Sequence, residues 1–260
     1  HYDSNQFIGT TGGIDVAFRN FMYEMYSVDI SKKVKTSQHM LMRNGRYVSH
    51  CPYGYTKIKG QKHHMVPDPE TAPIVRDIFL WAIEGKKSTE IARILNEKHI
   101  PTPMQHKKLS RQGIRNDAMW SHQAVLRIIR DYKYTGAMVS FNCGHEPIRA
   151  KVQKRYAPED YVINEGMHEP IVTHEEYYAA NDTLRKVKKH DTVKTDRRDR
   201  VYYCGHCGRR LRKTFGSDEY YSCATPLYIK DAPCAGIHWS RTNIEDVVFA
   251  TYKRQLQIVS

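Results

Sequence analysis

Apolar positions along the chain change period several times, and each change predicts an element. From Asp15 onward, Phe18, Phe21, Met22, Met25, Tyr26 and Ile30 recur at spacings of three and four, which places them on one face of a long helix reaching Arg43. Residues 1–14 are polar and rich in Gly and Thr, and read as a strand end and loop left over from a preceding domain. Gly45 and then Pro52-Tyr53-Gly54-Tyr55 break the helical pattern, and the stretch to Pro69 alternates short strand-like runs with turn residues. A helix with Pro73 in its first turn then carries Ile74, Val75, Ile78, Phe79 and Ile83 inward and stops at Gly85. The next, N-capped by Ser88, carries Ile91, Ile94 and Leu95 and ends near His99, since Pro101 and Pro103 cannot continue it. Trp120 and Ser121 introduce a third helix that buries Val125, Leu126, Ile128 and Ile129, and Tyr134 to Val139 reads as a strand.

The pattern is lost between Asn142 and Tyr161, which suits a hairpin tip or a linker. A helix over Glu175 to Lys189 and a charged run from Lys194 to Arg200 follow. Two strands, Arg209 to Phe215 and Glu219 to Ser222, form a ribbon turned by Gly216-Ser217-Asp218. Ile244, Val247, Val248, Tyr252, Leu256 and Val259 give a last helix an apolar face. The expected class is therefore α+β: a remnant at 1–14, a linking helix at 15–43, a helix-turn-helix-like α/β domain at 44–152 and a smaller ribbon domain at 153–260. In a helix-turn-helix unit with a wing, the third helix offers its N-terminal residues to the major groove, which nominates His122, Gln123 and Arg127 as exposed readers. A plain helical bundle whose polar residues face water remains the alternative.

Composition adds a partner. The 41 Lys and Arg against 28 Asp and Glu leave a formal charge of +13, which draws the chain toward a polyanion such as double-stranded DNA. Lys32, Lys33, Lys35 and Arg43 concentrate that charge at the end of the first helix, and Lys107, Lys108, Arg111 and Arg115 in a loop. Arg209, Arg210, Arg212 and Lys213 do so on a ribbon strand beside Tyr220 and Tyr221. Each has a plainer reading as a solvated face or a favourable helix end. No run approaches the roughly 18 to 20 apolar residues of a membrane-spanning helix, and the N-terminus has no signal-peptide pattern, so the expected address is cytoplasmic.

Four of the six cysteines fall in one short segment. Cys204-Gly-His-Cys207 is a thiolate knuckle, and Cys223 and Cys234 extend it to C-x2-C-x15-C-x10-C, the donor set for one structural zinc ion. Four thiolates complete a tetrahedron and leave no position for reactive water. The alternatives are a redox pair or disulfide at Cys204 and Cys207, or an iron–sulfur or substituted site using His206 or His238. Cys51 and Cys143 read as small buried apolar side chains. His145-Glu146 beside Cys143 lacks the second cysteine pair of a zinc deaminase, His63-His64 has no nearby acid, and neither a phosphate-binding glycine pattern nor a nucleophile elbow occurs. No catalytic centre is expected in these residues.

The order and spacing of Gly54-Tyr55, Val66 to Arg76, Ile78-Phe79, Gly85, Ile91-Ala92, Leu95-Asn96, Ile100 to Pro103, Trp120 and Tyr134-Thr135-Gly136 resemble the recombinase domain of large serine recombinases. His168-Glu169-Pro170-Ile171-Val172 and the Cys204 knuckle resemble the linker and zinc β-ribbon that follow it in that family. The resemblance implies that residues 15–42 form the long helix ending a catalytic domain. It further implies a homodimer or tetramer in the full-length protein, and integration or excision of a mobile genetic element such as a transposon through a phosphoserine linkage to DNA. The family's nucleophile sits in a Tyr-x-Arg-x-Ser motif that does not occur among these 260 residues, so the chain reads as a fragment beginning late in the catalytic domain and stopping before a coiled coil. A zinc-ribbon transcriptional regulator and an RNA-binding or ribosome-associated module are the competing classes.

Overall fold

The protein was analysed as a computed structural model that describes residues 12–48, 50–58, 60–61, 63–106, 118–141, 143–144, 154–185, 202–214 and 219–259. The class is α+β, with seven helices and nine short strands among those residues. Two compact units emerge: residues 1–76 with 131–174, and residues 77–130 with 175–260.

The first unit opens with α1, Gly12–Arg43, which is helical three residues before the Asp15 start expected from the apolar pattern. It stops at Gly45, whose φ of +68° lets the Gly45 N–H reach the Met42 carbonyl (3.1 Å) and the Arg46 N–H reach that of Leu41 (2.9 Å). A side chain there would be strained and would run into the Met167 thioether. Strands β1 (Tyr55–Lys57) and β2 (Met65–Pro67) pair antiparallel with Thr56 opposite Val66. Strand β3 (Met138–Ser140) pairs with β6 (Val162–Asn164), and β4 (Cys143–Gly144) pairs with β5 (Lys154–Arg155). Residue 152, where the sequence pattern suggested a domain boundary, lies outside the described residues. The expected strand from Tyr134 also begins later. Tyr132–Thr135 is a 3₁₀ turn because the Asp131 carboxylate accepts from the Lys133 N–H and the Thr135 hydroxyl donates to the Tyr132 carbonyl.

That turn is the hub of the unit's core. Tyr134, fully buried, donates through its hydroxyl to the Tyr53 carbonyl at 2.8 Å and stacks on Tyr55. Its own carbonyl accepts from the N–H groups of Ile171 and Val172. Tyr55 donates to the Glu169 carbonyl, and Arg76 to that of Ile171. Gly136, at φ +90°, leaves no room for a Cβ, which would lie 2.9 Å from the His168 carbonyl oxygen. Residues far apart in sequence thus close one aromatic core.

His168 belongs to this core and carries a pH prediction. It stands edge-on to Tyr55, donates through Nε2 to the Lys133 carbonyl at 2.7 Å, and its Nδ1 is buried without a partner. Burial holds its pKa below the ordinary 6.5, the Lys133 carbonyl opposing and His64 reinforcing the shift. The unfolded chain therefore binds a proton before the folded one does, and the stability contribution is complete above about pH 6.5 and lost as pH falls below it. His122 shifts the same way and adds to the trend. Melting temperature is expected to drop between pH 7 and pH 5, and His168→Gln, which keeps a donor but cannot be charged, should flatten the profile. An unchanged slope in that variant would place the dependence elsewhere.

The second unit is built around α3 (Ser88–Glu97) and α5 (His122–Ile129), together with the single turn α4 (Pro103–His106), α2 (Ala72–Ile83) from residue 77 onward and α6 (His174–Arg185) from residue 175 onward. Ile78, Phe79, Ile91, Leu95, Trp120, Val125 and Ile129 are among its fully buried residues. Leu126, expected inside, is only partly covered. Ser88 is the first helical residue rather than the cap: Lys87 takes that position, its N–H bonded by the Glu90 carboxylate. Ser121 caps α5 as expected, its Oγ accepting from the Ala124 N–H. The Asn181 side chain donates to the Ile129 carbonyl at the other end of α5, and Thr183 donates to Ala82. Strands β7 (Arg212–Thr214), β8 (Tyr220–Ser222) and β9 (His238–Ser240) form an antiparallel sheet, and α7 (Arg241–Val259) follows. The third strand had no counterpart in the sequence pattern. Among the described residues no helix is long and apolar enough to cross a membrane.

Candidate metal centre and nucleic-acid surface

Two turns bring the cysteines together. In the knuckle, the Cys204 N–H donates to the Arg209 carbonyl at 2.8 Å, the Gly208 N–H returns to Cys204 at 2.7 Å, and a bridge between Tyr203 and Arg210 closes the loop. Strand β8 delivers Cys223, and the turn from Ala232 to Ile237 delivers Cys234, with the Cys223 N–H held by the Ile237 carbonyl. All four sulfurs lie within 4.8 Å of one another, and none is in a disulfide. Cys223 Sγ stands 3.5 Å from the sulfurs of both Cys207 and Cys234. Sulfurs at ~2.3 Å around a tetrahedral zinc stand about 3.8 Å apart, while a disulfide needs about 2.0 Å, so the spacing fits a metal and not a bond.

The thiols' chemistry agrees. Burial pushes Cys207 up, but hydrogen bonds from the Thr225 hydroxyl and the backbone at Arg209 outweigh it and bring the thiol down to about 6. Cys234, through burial and then its neighbour Cys223, is pushed up to about 12. Four sulfurs this close do not all ionise on their own, and a divalent cation supplies the charge that lets them do so. His206 is exposed, and His238 lies on β9 with its ring stacked 4.3 Å from Tyr220. Neither joins the cluster, which Cys234 completes.

The basic residues fare differently from one another. Lys32, Lys33 and Arg43 are exposed along α1 and Lys35 is half-buried, with Lys33 paired to Asp29 at 2.7 Å. Lys107, Lys108, Arg111 and Arg115 lie outside the described residues. On α5, Gln123 and Arg127 are exposed one turn apart. His122, expected beside them, is half-buried: its ring stacks on Tyr228 and its Nδ1 is bonded to the Tyr228 hydroxyl. Burial and then Arg212 hold His122 toward its neutral form. On the ribbon, Arg210 and Arg212 are exposed and Arg209 is half-buried. Lys213, nominated for the same surface, is mostly covered and bonds Glu219 at 2.9 Å, while Glu219 also binds Arg241 at 2.9 Å. Those two cations hold the Glu219 carboxyl below the usual range. Composition could not reveal these pairings, because they depend on β8 laying Glu219 beside β7 and the start of α7.

The Recombinase family model matches residues 69–187. A solved structure described as "Crystal Structure of a LSR-DNA Complex" is 15% identical with a TM-score of 0.37, covering 86% of this chain and 64% of that one. Another, described as "Sequence Requirements of the Listeria innocua prophage attP site", is 16% identical with a TM-score of 0.38, covering 86% of this chain and 87% of that one. The chain spans 64% of the length of the first of these. No curated protein matches it.

Proposed function

We propose, from the match of residues 69–187 to the Recombinase family model, that the chain is the DNA-recognising, C-terminal region of a large serine recombinase. It recognises attachment-site or element-end duplex when a mobile genetic element is integrated or excised. The phosphoserine chemistry belongs to residues other than these. The observation that carries the reading is α5 inside the matched segment, capped by Ser121 at its start and presenting Gln123 and Arg127 outward. Both are side chains suited to bidentate contacts with base edges in a major groove. The four cysteines hold one structural zinc, which fixes the ribbon so that Arg210 and Arg212 meet phosphates. The exposed apolar residues of α1, Phe18, Phe21, Met22 and Met25 among them, suit the pairing of subunits in the full-length protein.

Binding of the chain to element-end duplex and to random duplex tests the proposal. Arg127→Ala is expected to cost about 1 to 3 kcal/mol on the cognate site and to relax base preference at one position. Arg212→Ala should weaken every sequence alike. Equal wild-type affinity for cognate and random duplex would remove site recognition and favour a general nucleic-acid binder.

A further inference from the structure

Between the cysteine cluster and the start of α5 runs a continuous chain of contacts, all within the second unit. Thr225 Oγ1 lies 3.3 Å from Cys207 Sγ and 3.4 Å from Cys223 Sγ, and Thr225 itself is buried. It opens the 3₁₀ turn Thr225–Leu227, and its carbonyl accepts from the N–H groups of Tyr228 and Ile229. Tyr228 is buried to 4% exposure. Its ring stacks on His122, the first residue of α5, at 6.0 Å with the planes 11° apart, and its hydroxyl is bonded to His122 Nδ1. Its carbonyl accepts from Asn96 Nδ2 at 3.2 Å. Asn96 in turn grips the residue preceding the Ser121 cap: its Oδ1 accepts from the Trp120 N–H at 2.8 Å and its Nδ2 donates to the Trp120 carbonyl at 3.0 Å. Arg93, one turn earlier on α3, donates to the Leu227 carbonyl.

We infer that Tyr228 is a positioning residue that couples metal occupancy of the cysteine cluster to the orientation of the α5 N-terminus, and with it to Gln123 and Arg127. The Trp120 indole N–H is held separately by the Ile100 carbonyl at 2.8 Å, so the coupling concerns the Trp120 backbone and the His122 ring. The first N–H groups of α5 have no intrahelical partners, and Ser121 satisfies that of Ala124. The direction in which the helix starts is then set by Trp120 and His122, and both are held by groups that touch Tyr228. His122 is secured from both sides, since the Gln123 amide Nε2 stands 3.0 Å from His122 Nε2. An amide nitrogen can only donate, so Nε2 accepts and the N–H of a neutral ring sits on Nδ1, donating to the Tyr228 hydroxyl. The turn beside the cysteine cluster thereby fixes the side-chain direction of Gln123 as well. When the metal leaves, the segment from Cys223 to Cys234 loses the anchor at both its ends, and Tyr228 is five residues from the nearer of them.

The inference rests on zinc occupying the cluster, but its test separates that premise from the coupling. Amide exchange of the full chain is followed at Trp120 and Ala124, with Val75, bonded to Thr71, as the reference for global opening, and zinc is measured in the same samples. Chelation of the wild type is expected to raise exchange at Trp120 and Ala124 relative to Val75 by about tenfold or more, as a local opening. Zinc-loaded Tyr228→Leu should show the raised rates already, with chelation adding less than about twofold. Zinc-loaded Tyr228→Phe, which keeps the buried ring and removes only the hydroxyl, should fall between them. Wild-type protein that binds no zinc would overturn the metal reading and the coupling together. Zinc that binds and leaves both amides unmoved on removal, or chelation that raises them equally in Tyr228→Leu, would overturn the coupling alone.

Discussion

Chain carrying Cys234→Ser is expected to lose its zinc, from about one equivalent to none, and with it the folded ribbon. Cys234 is the ligand the spacing specifies least, with ten residues between it and Cys223, and among the described residues no other donor joins the cluster. Cys234 is 1% exposed with its sulfur 3.5 Å from that of Cys223, whereas His238 is exposed on β9 against Tyr220. Structural zinc sites contribute roughly 10 to 16 kcal/mol of binding free energy to folding, more than most small domains hold in total stability at about 5 to 15 kcal/mol. The ribbon offers little to offset that loss: its apolar cluster consists of the cysteines and Ala232, with Leu211, Ile237 and Cys207 partly buried against it. Elemental analysis and amide exchange over 202–240 check the outcome, and Cys204→Ser should behave alike. Zinc retained at full stoichiometry in Cys234→Ser would assign the fourth ligand to another residue. A chelator should reproduce the variant, more readily as pH falls and protons compete for the thiolates.

Affinity for duplex DNA is expected to fall by about 10³ to 10⁵ between 50 and 200 mM salt, as roughly 6 to 10 neutralised phosphates require. The net charge of +13 is enough to supply them, but the folded chain redistributes the roles. Charge and strand pattern nominate Lys213 for the phosphate backbone, yet its ammonium is engaged by Glu219 and largely covered. Lys213→Ala should therefore act through the ribbon's stability and leave the salt slope unchanged. Arg210→Ala and Arg212→Ala, whose side chains reach solvent, should each reduce the slope by about one. Salt-independent binding would mean that the basic surface does not face a polyanion at all, and a loss of slope in Lys213→Ala would return that residue to the interface.

Several features were legible because they depend only on neighbours in sequence. The long helix and its stop at Gly45, the Ser121 cap, the helices around Ile78 and Ile91, and the Cys204 knuckle are each fixed by local periodicity, local capping or a two-residue loop. Others failed for an equally definite reason. Tyr134-Thr135-Gly136 has strand-like composition, but Asp131 offers its carboxylate to the backbone two residues on, and a turn results. Leu126 looked like core by its spacing, although burial around α5 is set by which neighbours arrive rather than by period.

The sequence by itself determined that this chain is a basic α+β protein with a Cys204-x2-Cys207 knuckle and a series of short amphipathic helices, since these follow from composition, period and short-range spacing. Only the tertiary structure decided that Cys234 rather than His238 joins the sulfurs, that Glu219 takes Lys213, that the segment around His168 closes on Tyr134, and that His122 is held by Tyr228. Each of those is a contact between residues 6 to more than 100 positions apart. Chain composition states which groups are present. The direction a side chain takes, and so the group it meets, is fixed when strand register and helix packing bring two distant segments within hydrogen-bond reach.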